Sequence, residues 1–149
     1  DLNVAEGLLP ATVVRNRATK FTVYALRARL HLYRRNYESA ESDASAVLAN
    51  TAYKLLTPYR LAAGTDESIL EVSFDLNNLN PSFTLWRGNR QLEATQALHN
   101  LLNDAAVGGT RKLLSVANTS GQFIGGIYPT NTSANYLIRT AEVILIRAE

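Results

Sequence analysis

The sequence has no cysteine and no methionine, and it has only two histidines among 149 residues. It therefore offers no thiolate nucleophile, disulfide or zinc–thiolate site, and only His31 and His99 can supply imidazole. Long apolar runs are also missing, since runs such as residues 143–146 are far below the roughly 20 residues that a membrane span needs. These absences exclude a transmembrane segment in this sequence and predict neither a metal site nor a cofactor.

Acidic residues are missing from residues 7–37, although the net charge of the whole chain is only +2. Such a basic block fits phosphate or another acidic partner. No helix-turn-helix pattern or aromatic RNA-binding strand accompanies it, and Glu38, Glu41 and Asp43 follow directly in the sequence. Local neutralisation is therefore favoured over a nucleic-acid partner. The cationic residues of the block are Arg15, Arg17, Lys20, Arg27, Arg29, Arg34 and Arg35.

Two adjacent segments show helical periodicity and predict an antiparallel hairpin. Residues 19–35 avoid glycine and proline and are apolar over most of the helix circumference. Residues 37–49 carry one apolar stripe, with Asn36 as the predicted N-cap. Ala28 and Ala44 are expected where the two axes cross, because small residues allow a close approach.

The hairpin also carries a degenerate tetratricopeptide signature, an order of aromatic, small, tyrosine and two small residues. A second opening helix is predicted at residues 136–149. The matching residues are Tyr24, Ala28, Tyr37, Ala40 and Ala44, and the departures are Arg27, His31 and Ala52.

The sequence between the two repeat-like segments differs from them in composition and in predicted secondary structure. Residues 66–74 suit an extended segment, residues 77–89 a loop, and residues 91–103 a helix with its leucines inward. Residues 110–134 are rich in glycine and Asn-Thr-Ser triplets and predict irregular structure with short hairpins. The expected fold class is mostly α, with tetratricopeptide-like helical hairpins, a long irregular insertion at residues 66–134 and short strands.

The order of these segments resembles the SusD/RagB family, the surface glycan-binding lipoproteins of Bacteroidetes. The most specific match is residues 138–149, an apolar-Arg-small-Ala-Glu-apolar run that ends in a second Ala-Glu. Six matches in the right order make the resemblance strong. The other matching stretches are residues 8–10, 17–33, 36–40, 53–55 and 67–72.

The resemblance implies that residues 1–149 are a single fragment of a larger domain, with a helical hairpin at 19–50, the insertion at 66–134 contributing to a ligand face, and a further repeat helix beginning at 136–149. It implies a longer, secreted parent at the cell surface, held at the outer membrane by a lipid anchor outside this fragment. A TonB-dependent outer-membrane transporter is the implied protein partner, and an oligosaccharide or polysaccharide the implied ligand.

The candidate glycan-binding residues come from side-chain chemistry, because residues 75–134 match the family only in general character. Sugar binding needs an aromatic face together with amide or guanidinium donors. Trp86, Arg87 and Asn89 supply these groups within one loop, and Tyr128 is a second aromatic candidate. The alternative is that Trp86 anchors its loop to the core.

No catalytic constellation is recognisable, so the chain is predicted not to be an enzyme. Glu67 and Glu71 lie four residues apart, but carboxylates in this context are expected at the surface. No nucleophile-elbow sequence surrounds any serine, and both histidines lie within apolar helical segments. The predicted function is non-enzymatic glycan binding for nutrient uptake, and the alternative is a tetratricopeptide-type protein–protein interaction module.

Overall fold

The structure is a computed structural model that describes residues 1–57, 63–89 and 91–149, with the backbone alone at residue 110. The chain forms two units. The first, unit 1, comprises Asp1–Leu55, Gly64–Val72 and Tyr136–Glu149, and the second, unit 2, comprises Leu56–Ala63 and Ser73–Asn135. Of the helices in the described residues, none combines the length and the apolar character that crossing a membrane requires.

Unit 1 is built mainly from helices. They are α1 (Leu2–Leu8), α2 (Lys20–Tyr33), α3 (Tyr37–Leu48) and, after unit 2, α6 (Thr140–Ala148). Strand β1 (Ser68–Val72) pairs with strand β4 (Asn135–Arg139), which leads directly into α6.

Helices α2 and α3 form the hairpin that the periodicity predicts. Thr19 caps α2, since its side chain accepts a hydrogen bond from the backbone N–H of Thr22 while the Thr22 hydroxyl accepts one from the N–H of Thr19. Ala28 and Ala44 are fully buried in the core that both helices share, which confirms their predicted place at the crossing.

Asn36 occupies the predicted N-cap position of α3, but its side chain makes no capping hydrogen bond. The backbone closes the α2–α3 turn instead. Arg35 adopts a left-handed conformation with φ of 59°, and the N–H of Asn36 then donates to the carbonyl of His31 at 2.9 Å.

The core of unit 1 is apolar and centred on this hairpin. Val143 and Ile146 of α6 pack into it, together with Ile69 of β1 and Ile138 of β4. The predicted helix at residues 136–149 therefore begins late, because residues 135–139 pair with β1 as a strand and place Ile138 in the core.

Glu67 and Glu71 are buried rather than at the surface, with 2% and 4% of their areas exposed, so that expectation is wrong. Arg139 donates to Glu67 Oε1 from Nε at 3.0 Å and from Nη2 at 2.5 Å. Glu71 accepts a hydrogen bond from the backbone N–H of Gly64 at 2.9 Å. Burial of these carboxylates is tolerable because each is hydrogen-bonded.

Unit 2 consists of short elements joined by loops. They are α4 (Pro81–Phe83), a π-helical turn (Thr84–Gly88), α5 (Gln96–Asn103), a 3₁₀ turn (Gly109–Leu114), and strands β2 (Ser115–Ala117) and β3 (Phe123–Gly125). The two strands form an antiparallel hairpin with Val116 opposite Ile124. This hairpin confirms the prediction for residues 110–134, whereas the predicted loop at residues 77–89 contains α4 and the π turn.

The predicted helix at residues 91–103 is shorter than expected and mostly exposed. It begins after Thr95, whose hydroxyl accepts from the N–H of Leu98, because the N–H of Ala94 is already donated to the carbonyl of Phe123. The inward placement of its leucines is wrong, since Leu98 is 46% and Leu101 is 51% exposed.

Candidate functional site

The segment that carries the aromatic candidate is fixed by a buried asparagine. Asn80 is fully buried, and its amide nitrogen donates to the carbonyl of Ser133 at 2.6 Å. Its side-chain oxygen accepts from the N–H of Ser82 and so caps α4, with Pro81 at the first helical position. The π turn that follows α4 therefore begins at a segment that is held in place by the hydrogen bonds of Asn80.

Trp86 lies on this π turn and packs against the backbone of β3. A Cβ atom at Gly125 would lie 3.1 Å from the Trp86 Cβ and 3.4 Å from its Cε3. Glycine at this position thus lets the indole lie against the strand, and 37% of Trp86 stays exposed. The residue is at once packed against unit 2 and accessible, a combination that neither sequence-based reading of Trp86 anticipated.

The other candidates lie close to the same turn. The Arg87 guanidinium donates from Nη1 to the carbonyl of Tyr128 at 3.5 Å, which joins the π turn to the segment after β3. The N–H of Asn89 donates to the carbonyl of Thr84 at 2.6 Å and closes the turn. Asn89 is exposed, whereas Arg87 and Tyr128 are half-buried. The structure therefore brings Arg87 and Tyr128 together and places Asn89 on the same turn.

An apolar cavity of about 340 Å³ opens beside Trp86 within unit 2. Its walls come from the π turn, α5, the 3₁₀ turn and the β2–β3 hairpin. Its lining residues are Trp86, Ala94, Leu98, Leu102, Leu114, Ser115, Gly125 and Ile127.

One histidine, His99, is hydrogen-bonded to a residue that lines this cavity. His99 stacks on Phe123 with ring centroids 4.0 Å apart, and its Nδ1 lies 3.0 Å from the Oγ of Ser115. Ser115 is only 3% exposed. The His99–Ser115 hydrogen bond links α5 to β2, which accounts for the histidine without a catalytic role.

Sequence reasoning missed most of the cavity. The helical spacing of Leu98 and Leu102 predicts a core-facing stripe. The Gly125-Gly126 pair belongs to a glycine-rich stretch that predicts only irregular structure with short hairpins. The signal that links these residues is the close approach of Trp86 to Gly125, and nothing local in the sequence encodes a contact 39 positions apart.

Four cationic residues of the basic block, Arg15, Lys20, Arg27 and Arg29, form ion pairs within unit 1. Arg27 donates to both oxygens of Asp43 at 2.7 Å and to Glu6 at 2.8 Å. Arg29 pairs with Glu142 at 2.5 Å. Asp43 was among the predicted partners, while Glu6 and Glu142 were not, since the contact to Glu142 is distant in sequence.

These ion pairs shift the pKa values of Glu6, Arg27 and Arg29. The hydrogen bond from Arg27, followed by that from the Tyr24 hydroxyl, lowers the pKa of Glu6 below its ordinary value. The hydrogen bonds to Asp43 and Glu6 raise the pKa of Arg27. The Arg29 pKa is raised by Glu142. Glu6, Arg27 and Arg29 are therefore charged at neutral pH, and their ion pairs connect the helices of unit 1.

Among the described residues, no group of three or more histidine or acidic side chains is placed to hold a metal ion. No family model matches the sequence, and no curated protein matches it either.

Solved structures do match, over nearly the whole chain. A SusD superfamily protein from Bacteroides vulgatus aligns over 97% of this chain and 38% of its own, with a TM-score of 0.74 and 22% identity. A SusD superfamily protein from Bacteroides thetaiotaomicron aligns over 99% of this chain and 40% of its own, with a TM-score of 0.73 and 20% identity. A SusD-like carbohydrate binding protein from Bacteroides vulgatus aligns over 99% of this chain and 37% of its own, with a TM-score of 0.68 and 19% identity.

The chain therefore has a mostly α, SusD-like fold, and the resemblance seen in the sequence is confirmed at the level of fold. It spans about two fifths of the length of these structures.

Proposed function

We propose that this chain is part of a SusD/RagB-family glycan-binding protein, a non-enzymatic component that captures oligosaccharide or polysaccharide at the cell surface. The observation that carries the proposal is the fold match over 97% to 99% of the chain with SusD-like structures, one of which is named as carbohydrate binding. The tetratricopeptide-like character of the hairpin, the lipid anchor, the outer-membrane location and the TonB-dependent transporter partner belong to the same proposal.

The proposed contact surface is the π turn of unit 2 together with the segment after β3. Trp86 offers an exposed indole edge, and Arg87 still has guanidinium donors beyond the one given to Tyr128. Asn89 adds an exposed amide on the same turn. An aromatic surface flanked by amide and guanidinium groups matches the alternating apolar faces and hydroxyl edges of a sugar ring.

A glycan array on the full-length parent tests the proposal and identifies a ligand. Calorimetric titration of that glycan against Trp86→Ala then asks whether this turn carries recognition. We expect the affinity to fall at least tenfold while the helix content, measured by circular dichroism, stays the same. Tyr33→Ala is the matched control, because it removes an exposed aromatic ring from unit 1, and it is expected to bind the glycan within about twofold of wild type.

Two outcomes would contradict the proposal. Failure of the parent to bind any glycan on a broad array would remove the function. Full affinity of a stably folded Trp86→Ala protein would remove this turn from the site. If Trp86→Ala instead lowers the melting temperature and binding recovers at low temperature, Trp86 acts as the anchor of its loop.

A protein-interaction function remains the second candidate, because one exposed surface of unit 1 suits it. At the α2–α3 turn Tyr33 is 80% exposed and Tyr37 is 50% exposed, with Arg34 and Arg35 between them. Tyrosine and arginine are enriched in the energetically important residues of protein interfaces. Tyr33→Ala should then weaken capture of a protein partner and leave glycan affinity unchanged.

A further inference from the structure

The cavity beside Trp86 has the wrong chemistry for an unsubstituted sugar. Its lining is formed by leucine, isoleucine, alanine and indole surfaces. The single hydroxyl among the lining residues belongs to Ser115, and His99 already hydrogen-bonds to it at 3.0 Å. Sugar hydroxyls moved into such a cavity would lose their hydrogen bonds to water and gain few protein partners, which is unfavourable. An apolar chemical group therefore fits, and a bare pyranose ring does not.

The size of the cavity fits one aromatic ring with a short linker. An apolar cavity of about 150 Å³ is enough to bind benzene, and this cavity measures about 340 Å³. Trp86 provides an aromatic wall against which a second ring can stack or meet edge-on. Trp86 is 37% and Leu98 is 46% exposed, so the cavity can be reached from solvent.

The polar candidates lie outside this apolar lining. Arg87 is on the same π turn as Trp86 and Asn89 directly follows it, yet neither lines the cavity. A ligand that places an apolar group beside Trp86 can therefore keep its sugar hydroxyls near polar side chains and water. This division into an apolar pocket and a polar rim is the usual layout of a small-molecule site.

We infer that the cavity binds an aryl or aromatic acyl group attached to a glycan, so that the protein prefers an aromatically substituted sugar to the unsubstituted one. The inference rests on the proposed function, which it deepens by naming the substituent. Ala94 and Leu98 set the width of the pocket, and the Gly125 backbone lets Trp86 form its wall.

Trp86 is the only tryptophan of the chain, so its fluorescence reports directly on the cavity. Phenyl β-D-glucopyranoside and methyl β-D-glucopyranoside form a matched pair of probes that differ only in the aryl group. Titration of the full chain with the phenyl glucoside should change the Trp86 emission saturably. The methyl glucoside should bind at least tenfold more weakly, since it buries far less apolar surface.

Two variants connect this preference to the cavity. Ala94→Leu fills the pocket and should weaken phenyl glucoside binding at least tenfold without lowering the melting temperature. Ala97→Leu, on the exposed face of α5, is the matched control and should bind as wild type. If Ala94→Leu does not fold, Leu98→Ala replaces it, because truncating a half-exposed leucine removes one wall and should weaken binding severalfold.

The results separate this inference from the function on which it rests. Equal binding of the two glucosides, or unchanged phenyl glucoside affinity in Ala94→Leu, overturns the inference. If the parent still binds an unsubstituted glycan on the array in that case, the proposed function stands without the aryl pocket. An aryl preference that Ala94→Leu abolishes and Ala97→Leu preserves supports the inference.

Discussion

Units 1 and 2 differ in how much apolar packing they contain. In unit 1 the buried apolar residues, among them Ala28, Ala44 and Val143, form one core cluster. In unit 2 the best-buried residues include Asn80 and Ser133, and leucines such as Leu98 and Leu101 are exposed. Unit 1 is therefore held mainly by apolar packing, and unit 2 largely by hydrogen bonds between loops. This difference leaves apolar surface around Trp86 available in unit 2, and it is why we propose that unit for glycan recognition.

The largest predicted effect comes from removing Arg27, which forms ion pairs with Asp43 and Glu6 in unit 1. Arg27→Ala leaves Asp43, which is 7% exposed, without its two strong hydrogen bonds. Removing one partner of a buried ion pair typically costs about 3–5 kcal/mol in the free energy of unfolding. Urea unfolding should show that loss, whereas Arg34→Ala, at the exposed C-cap of the same helix, should change the free energy of unfolding by less than about 0.5 kcal/mol. Similar stabilities for both variants would refute a structural role for the pair.

The second prediction tests the apolar packing of the hairpin. Ala28 is fully buried at the α2–α3 crossing, so Ala28→Leu should overpack it and lower the free energy of unfolding by roughly 1–3 kcal/mol. Ala97→Leu adds the same side chain to an exposed helical position of unit 2 and should be nearly neutral. An unchanged melting temperature for Ala28→Leu would mean that the helices do not cross there.

The third prediction tests the hydrogen bonds by which Asn80 holds α4 in unit 2. Asn80→Ala removes the cap of α4 and the donor to Ser133, which should lower the stability of this unit by about 1–2 kcal/mol. Because the π turn follows α4, the Trp86 emission should shift as well. Asn78→Ala is the control, since Asn78 is exposed. Unchanged emission in a destabilised Asn80→Ala protein would separate Trp86 from this support.

The smallest predicted effect is a pH dependence of the contact between α1 and α2, in which Glu6 of α1 accepts hydrogen bonds from Tyr24 and Arg27 of α2. The Arg27 and Tyr24 hydrogen bonds hold the folded-state pKa of Glu6 below its ordinary value of 4.5. The stabilisation from Glu6 is therefore complete above that value and is lost as the pH falls through the lower folded-state pKa. Proteolysis of α1 should therefore accelerate as the pH falls below 4.5, and Glu6→Gln should remove that step. A step of equal size in Glu6→Gln would assign it to other groups.

The sequence predicted unit 1 better than unit 2 for a physical reason. Residues 19–35 and 37–49 form helices that bury a periodic face, so their spacing encodes both the element and its partner. The Leu98 and Leu101 spacing is equally periodic, yet α5 leaves both half-exposed. Periodicity shows that a helix can have an apolar side, and it does not show that anything covers that side.

Contacts distant in sequence account for the other differences. Glu67 is buried because Arg139 lies beside it, and residues 135–139 form a strand because β1 is available to pair. Trp86, Arg87, Asn89 and Tyr128 were selected by chemistry alone. The structure places them near one another, but the cavity beside Trp86 depends on Gly125, whose role no local pattern indicates.

The comparison of the two units is tested most directly by native-state hydrogen exchange on the intact chain, resolved by residue. Local opening free energies separate well-packed cores from loop-supported regions. We predict that the amides of α2, α3 and α6 exchange slowest and share one high opening free energy, while those of α5 and the β2–β3 hairpin open at a clearly lower one. Equal protection in both units, or slower exchange in α5 than in α2, would contradict the assignment of unit 1 as the stable framework and unit 2 as the adaptable recognition surface.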